Sequence, residues 1–225
     1  MTGVILAGGR NSRIGIKKAL LEIGGKRIIN RTAEIYKKIF NEILIITKAP
    51  EDYLYLKDDF MNHNSSPVFS SQQEFRIYTD LDTHASSLVG IYTGLYYSKS
   101  DYTFFAACDM PFLDERVIRH IISQLNGGQV ELSPHKSSEQ EGNYDVIIPY
   151  YKHRLHPLHA VYSRRCLKIM EEMIGERRLK IKDLLSKLKV KRVTDIPETR
   201  LNPFFNINTM KNYLQADKMY LSSLV

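Results

Sequence analysis

Val4-Ile5-Leu6-Ala7-Gly8-Gly9-Arg10-Asn11-Ser12-Arg13-Ile14-Gly15-Ile16-Lys17-Lys18 stands close to the start of the chain. An apolar run ending on a glycine pair reads as a short buried strand feeding a loop. Glycine carries no Cβ, so the backbone beyond the strand can approach a ligand closely. Successive N–H groups of such a loop form an anion nest. Arg10, Arg13, Lys17 and Lys18 then place four cations within nine residues. A triphosphate has the charge to match them. Two other phosphate loops are excluded: Gly25-Lys26 is followed by Arg27 rather than the Ser or Thr of a Walker loop, and no GxGxxG occurs.

Outward from this loop, short apolar runs alternate with helical stripes. Ile28, Ile29, Thr32, Ile35, Tyr36 and Ile39 recur at helical spacing, Ile43 to Thr47 reads as a strand, and Glu51 to Phe60 as a short helix. Ile77 to Thr79 is the next strand, Ser86 to Tyr97 a helix, Thr103 to Ala107 a strand, and Asp114 caps a helix reaching Leu125. This order predicts a doubly wound, mostly parallel sheet, whose ligands sit beyond the carboxyl ends of the strands. Residues 127–143 read as a polar loop with a short strand at Val130 to Leu132. Strands at Tyr144 to Tyr151 and His159 to Tyr162, helices at Arg164 to Ile174 and Ile181 to Leu188, strands at Val190 to Thr194 and Phe204 to Ile207, and a helix from Thr209 complete the reading. We expect one domain spanning 1–225, with a nucleotide-binding half (1–126) and an acceptor-binding half (127–225).

The chain has 225 residues, 43% hydrophobic and 25% charged, with a formal charge of +7. No apolar run reaches the roughly 20 residues of a membrane span, and Met1 to Ala7 lacks the basic lead of a secretion signal. A cytoplasmic protein is expected, without membrane or nucleic-acid partners. The densest basic stretch, Arg177 to Arg192, is Lys or Arg at eight of sixteen positions but alternates with apolar residues, so it reads as an amphipathic segment with a solvated face. Cys108 and Cys166 lack disulfide or zinc spacing, and Cys108 is expected to be a small buried hydrophobe.

Cys108-Asp109-Met110-Pro111-Phe112 carries the second element of chemistry. A carboxylate directly after a buried strand lands at the carboxyl edge of the sheet, in the crevice that the first loop faces. One carboxylate with open positions beside phosphates is how Mg²⁺ is usually held; capping of the Phe112 turn is the alternative. Asp80 and Asp82 follow the third strand, and Asp80 is the better candidate to contact a ribose or a metal-bound water. His156 and His159 flank a proline turn; His156 is expected at a pocket edge toward the acceptor, His159 as a packed residue.

These residues closely resemble the molybdenum cofactor guanylyltransferases, within the Rossmann-like nucleotidyltransferases. Leu6 to Lys18 and Ala19-Leu20-Leu21 to Gly24-Gly25 match the opening block of that family. Ser86-Ser87-Leu88-Val89-Gly90 stands at its GPLAG, Cys108 to Phe112 at its metal block, and His156 to Tyr162 and Asn206-Ile207-Asn208-Thr209 at two later blocks. The resemblance implies a three-layer α/β/α fold with a short antiparallel element in the C-terminal half. It implies transfer of GMP from GTP to molybdopterin or its molybdenum form, with Mg²⁺ as cofactor, and other molybdenum cofactor biosynthesis proteins as partners. By position, Leu6, Ala7, Gly8, Gly9, Lys18, Asp80 and Asp109 would bind GTP. Lys18, Arg13 and Asp109 would be catalytic, Asp109 would hold the metal, and Asn206 and Asn208, with His156, would face the acceptor.

Thr47 stands where some members have a nucleotide-contacting Asn. Lys17 replaces an acid that commonly precedes the catalytic lysine, an added charge that favours phosphate binding. Guanine is favoured by Gly9, since cytidylyl enzymes of the family tend to have LAAG. Cytidylyl transfer to molybdopterin, nucleotidyl transfer to a sugar phosphate and a non-catalytic nucleotide-binding protein remain as alternatives.

Overall fold

The structure is a computed structural model that describes residues 1–8, 17–57, 73–82, 86–126 and 143–224. Its strands are β1 (Thr2–Leu6), β2 (Glu22–Ile23), β3 (Lys26–Arg27), β4 (Glu42–Thr47), β5 (Glu74–Thr79), β6 (Tyr102–Ala107), β7 (Val146–Tyr151), β8 (Arg154–Leu155), β9 (His159–Ser163) and β10 (Val190–Val193). Its longer helices are α1 (Ile28–Lys37), α2 (Ser87–Tyr97), α3 (Glu115–Ser123), α4 (Cys166–Gly175), α5 (Ile181–Leu185) and α6 (Met210–Ser222). Short 3₁₀ turns cover Lys18–Leu20, Pro50–Tyr53 and Gln124–Asn126.

Among the described residues the main sheet runs β10-β7-β9-β6-β1-β4-β5, with β8 paired to β7. β6, β1, β4 and β5 are mutually parallel, β9 lies antiparallel between β6 and β7, and β10 is parallel to β7. A mostly parallel sheet with one antiparallel insertion in the C-terminal half is therefore present. Because side chains alternate along a strand, each strand feeds two cores. Ile5, Ile43, Ile45, Phe104 and Ala106 point to one face, where Tyr36 of α1 and Val117, Ile118 and Ile121 of α3 cover them. Val4, Leu44, Ile46 and Phe105 point to the other, beneath Leu88, Ile91 and Leu95 of α2, Met170 and Met173 of α4, and Leu184 of α5. The result is three layers, helix–sheet–helix.

The helix starts follow local chemistry. Ser86 Oγ accepts from Val89 N at 3.2 Å, Asp114 Oδ1 from Arg116 N at 2.8 Å, and Thr209 Oγ1 from Asn212 N at 3.2 Å, each satisfying an N-terminal donor. No helix of the described residues is long and apolar enough to cross a membrane.

Several expectations need correction. Phe204 to Ile207 is not a strand. Asn202 Oδ1 accepts from Phe204 N at 3.0 Å, and Phe205 N donates to the Asn202 carbonyl at 3.1 Å, so a turn consumes the donors that a ladder would need. Phe204 and Ile207 are apolar because they pack, not because they pair. Arg177–Arg192 bears out its amphipathic reading: beyond Arg177, at φ 57°, the chain forms α5, shorter than expected, and then the edge strand β10, with the apolar residues turned to the core and the basic ones mostly exposed. Glu51 to Phe60 begins as the 3₁₀ turn Pro50–Tyr53, and its end lies outside the described residues, as does Val130 to Leu132.

The β2–β3 hairpin, not anticipated, turns through Gly24 (φ 56°) and Gly25 (φ 73°). A Cβ on Gly24 would run into the Tyr220 ring of α6, over which the Arg31 guanidinium sits at 4.4 Å from the centroid. Gly24→Ala is expected to cost about 1–3 kcal/mol in urea unfolding through overpacking. Part of that cost should vanish in a Tyr220→Ala background; an undiminished cost there would locate the penalty in backbone strain alone.

Candidate active site

Strand order reverses beside β1. The chain passes outward through β4 and β5 and then returns to β6 on the other side. Such a switch point opens a crevice at the carboxyl ends of the strands, and among the described residues a cleft lies there. It has a volume of about 710 Å³ and is lined by residues following β1 (Ala7, Gly8), β4 (Lys48, Ala49), β5 (Asp80) and β6 (Cys108, Asp109), with Lys17 and Lys18. That size falls within the ~300–1,000 Å³ usual for small-molecule sites. Backbone bonds carry the floor past the strand ends: Ala7 N donates to the Ile46 carbonyl at 2.7 Å, Cys108 N to Leu6 at 3.0 Å, and Ala107 N to Leu158 at 3.0 Å.

Lys18 and Asp109 meet. Lys18 Nζ lies 3.1 Å from Asp109 Oδ2 and 2.9 Å from Asn208 Oδ1, joining the first loop, the β6 exit and the C-terminal segment. Ile207 N donates to the Asp109 carbonyl at 2.9 Å, which ties the Asn206–Asn208 stretch to the carboxylate's own backbone. Lys17 pairs with Asp52, so its charge is engaged at the cleft wall rather than added unopposed to the phosphate loop.

Asp80 sits between two glycines. A Cβ on Gly8 would come within 3.0 Å of Asp80 Oδ2, and one on Gly90 within 3.8 Å of Oδ1 and 3.2 Å of the Leu6 side chain. Oδ1 is buried without a hydrogen-bond partner among the described residues. Burial raises the Asp80 pKa, the Lys48 charge opposes that rise, and Asp82 reinforces it. Cys108 is buried, and burial pushes its thiol up to about 12. It is a packing residue, as expected.

Other candidates are placed less directly. Gly9 and Arg13 lie outside the described residues. Asn206 is partly buried, with Oδ1 buried and unpartnered among the described residues. His156 is not part of the cleft lining: it stacks on Phe204 at 4.3 Å, with Nε2 3.3 Å from the Tyr151 carbonyl oxygen. His159 is fully buried edge-on to Phe104 and Phe204, and burial lowers its pKa to about 3, so it is a neutral core residue. Thr47 is buried, its hydroxyl 3.4 Å from the Ala7 carbonyl. Lys48 and Asp52 are cleft residues that the sequence reading passed over. Lys48 directly follows β4, so the rule that singled out Asp80 and Asp109 reaches it too.

A parallel-sheet crevice, a lysine and a carboxylate converging in it, and a cleft of nucleotide size are the features of a nucleotidyltransferase. Residues 3–193 match the MobA-like NTP transferase domain, and the chain belongs to that family. A probable molybdenum cofactor guanylyltransferase of Natranaerobius thermophilus is 33% identical over 224 residues, covering 97% of this chain and 95% of that one. A molybdenum cofactor guanylyltransferase of Desulfosudis oleivorans is 32% identical, over 96% and 94%. The crystal structure of molybdopterin-guanine dinucleotide biosynthesis protein A from Archaeoglobus fulgidus superposes with a TM-score of 0.73, covering 99% of this chain and all of that one; at 23% identity it speaks to the fold.

Asp80→Asn is expected to raise thermal stability at about pH 7, because it removes a carboxylate that burial disfavours in its charged form. A raised folded-state pKa means that stability is fullest below the unfolded value and is lost as pH rises through the folded one. The variant's advantage should therefore shrink as pH falls toward about 4 and the native Asp80 protonates. Melting curves at the two pH values check this, and an advantage independent of pH would contradict it.

Proposed function

We propose that this protein transfers GMP from GTP to molybdopterin, or to its molybdenum-bearing form, and releases pyrophosphate. What carries the reading is the meeting of Lys18 and Asp109 at the carboxyl ends of β1 and β6 in a chain of this family. The names of its relatives at about a third identity supply the guanine and the molybdenum cofactor. In this reading residues 1–126 hold the nucleotide and 127–225 the acceptor.

The acceptor's terminal phosphate oxygen attacks the α-phosphorus of GTP in line. The new P–O bond forms as the bond from the α-phosphorus to the bridging oxygen breaks, and pyrophosphate departs with the electron pair. Two anions must approach and charge collects on the leaving group, so positioning and electrostatic stabilisation dominate. Leu6, Ala7 and Gly8 line the nucleotide, with Gly9 as a further nucleotide-binding residue; glycine at position 8 leaves room for Asp80, which takes the nucleoside part. Lys18 and Arg13 stabilise the α-phosphate and the departing pyrophosphate. Asn206 and Asn208 face the acceptor, while His156, stacked on Phe204, supports that side from behind.

Enzymes of this family generally use a divalent metal. The donor set here fits Mg²⁺, which dehydrates reluctantly and takes one or two carboxylates plus substrate phosphates. Asp109 offers a partly exposed carboxylate at the cleft. When bound, Mg²⁺ would neutralise and align the phosphate oxygens. Asp109 would hold it, and Lys18 would then turn to the triphosphate.

Pyrophosphate release measured across four nucleoside triphosphates, with and without molybdopterin, tests the assignment. Release with GTP only when the pterin is present is expected; release with a sugar phosphate would overturn the acceptor. Lys18→Ala should lower turnover on the order of 10²–10³-fold, as loss of one transition-state donor does, and undiminished turnover would sink its role. Asp109→Asn should abolish metal-dependent activity with an unchanged circular dichroism spectrum, and a parental metal titration would refute the ligand.

A further inference from the structure

Lys18 is held at both ends. Its backbone belongs to a 3₁₀ turn in which Leu20 N donates to the Lys17 carbonyl at 2.9 Å and Leu21 N to that of Lys18 at 3.2 Å, and Ala19 beside it is buried. Its ammonium is held by Asp109 Oδ2 and Asn208 Oδ1. The backbones that carry these two acceptors are themselves fixed. The Asn208 N–H donates to Asn212 Oδ1 at 3.2 Å, and Thr209 Oγ1 donates to the same oxygen at 3.0 Å, at the start of α6. One residue earlier, Ile207 N binds the Asp109 carbonyl. The amide oxygen of Asn208 and the carboxylate of Asp109 are therefore set side by side before any ligand arrives. An ammonium has three N–H donors, and two are used here.

We infer that Asn208 is a positioning residue that parks the Lys18 ammonium on Asp109 in the ligand-free protein, so that a divalent cation binds Asp109 tightly only once a nucleoside triphosphate has drawn the lysine away. This rests on the reading of Asp109 as the metal ligand. The argument is electrostatic. The ammonium sits at hydrogen-bond distance from the oxygen that a metal would take, in a part-buried position where charges are screened less than in water. A cation entering alone meets a like charge and must break both of its hydrogen bonds. A triphosphate reverses this, because its oxygens accept the ammonium and open the carboxylate at the same moment. Metal and nucleotide then enter together, and Asn208, just before α6, acts on the metal ligand through Lys18.

Mn²⁺ is the probe, with the free ion counted by electron paramagnetic resonance in the full-length protein without nucleotide. Parental protein should bind Mn²⁺ weakly. Lys18→Met should tighten binding by roughly tenfold or more, and Asn208→Leu by up to about tenfold, the worth of one hydrogen bond to a charged group. In the Lys18→Met background, Asn208→Leu should add nothing, because the asparagine acts only through the lysine. A merely structural role would carry its effect into that background, and such carry-over overturns the inference. So does an Asn208→Leu protein that binds Mn²⁺ like its parent while Asp109→Asn abolishes binding. If Asp109→Asn itself leaves Mn²⁺ affinity unchanged, the metal reading falls and takes the parking with it.

Discussion

The reversal of strand order beside β1 is the constraint on which the rest depends. β1 is hydrogen-bonded on both sides, to β4 and to β6, over its whole length. All three strands point the same way, so their exits fall on one edge. Since the chain leaves β1 toward β4 and comes back to β6 only after β5, nothing connects the β1 and β6 exits directly. That gap is the crevice, and Gly8 and Asp109 are its two lips. An antiparallel β6 would have sent Asp109 to the opposite edge, beside the Glu42–Arg76 pair and the hydroxyls of Thr2 and Ser98.

The edge that carries chemistry is also where the fold accepts poor local energetics. At the opposite edge, Glu42 is buried but engaged by Arg76, the Thr2 hydroxyl and Lys99 N. At the cleft, Asp80 is half-buried with one oxygen unpartnered among the described residues, and glycines at 8 and 90 replace the side chains that would have packed around it. A half-satisfied carboxylate is an expensive thing to keep. Its position suits a donor supplied by a ligand, and this is the exchange of stability for function that binding sites commonly make.

Much of the layer architecture was legible, because it rests on hydrophobic patterning. Continuous apolar runs in β1, β4 and β6, dry on both faces, and the stripe in α1 follow directly from what the layers cover. The cap at Asp114 and the helix starts at Ser86 and Thr209 were legible for a different, local reason: a side-chain oxygen that takes a first-turn N–H. What escaped were elements set by single backbone angles: the β2–β3 hairpin through Gly24 and Gly25, and β8, which turns through Lys152 and His153 at positive φ. Hydrophobicity misled at Phe204 to Ile207, where burial comes from aromatic contact with Tyr151, His156 and His159 rather than from a ladder. In the site, the rule that residues after parallel strands face the crevice found Asp80 and Asp109. The same rule reaches Lys48, which directly follows β4 and lines the cleft. The Lys18–Asn208 contact spans 190 residues, and no spacing argument encodes it.

That contact also ties the two ends of the chain together. α6, from the far end of the chain, serves the hairpin that follows Lys18. Tyr213 donates to the Glu22 carbonyl at 2.9 Å, Asp217 accepts from Gly24 N at 3.2 Å, and Ala216 packs in one cluster with Leu21, Ile23, Ile28 and Ile207. These contacts clamp the hairpin that directly follows the Lys18 turn, so α6 fixes the root of the lysine, while Asn208 at its head holds the tip. A rigid-body shift of α6 would move both together. A displacement of the Asn206–Asn208 stretch is thereby felt at the Lys18 ammonium beside Asp109. The helix at the far end of the chain is, mechanically, part of the cleft between β1 and β6.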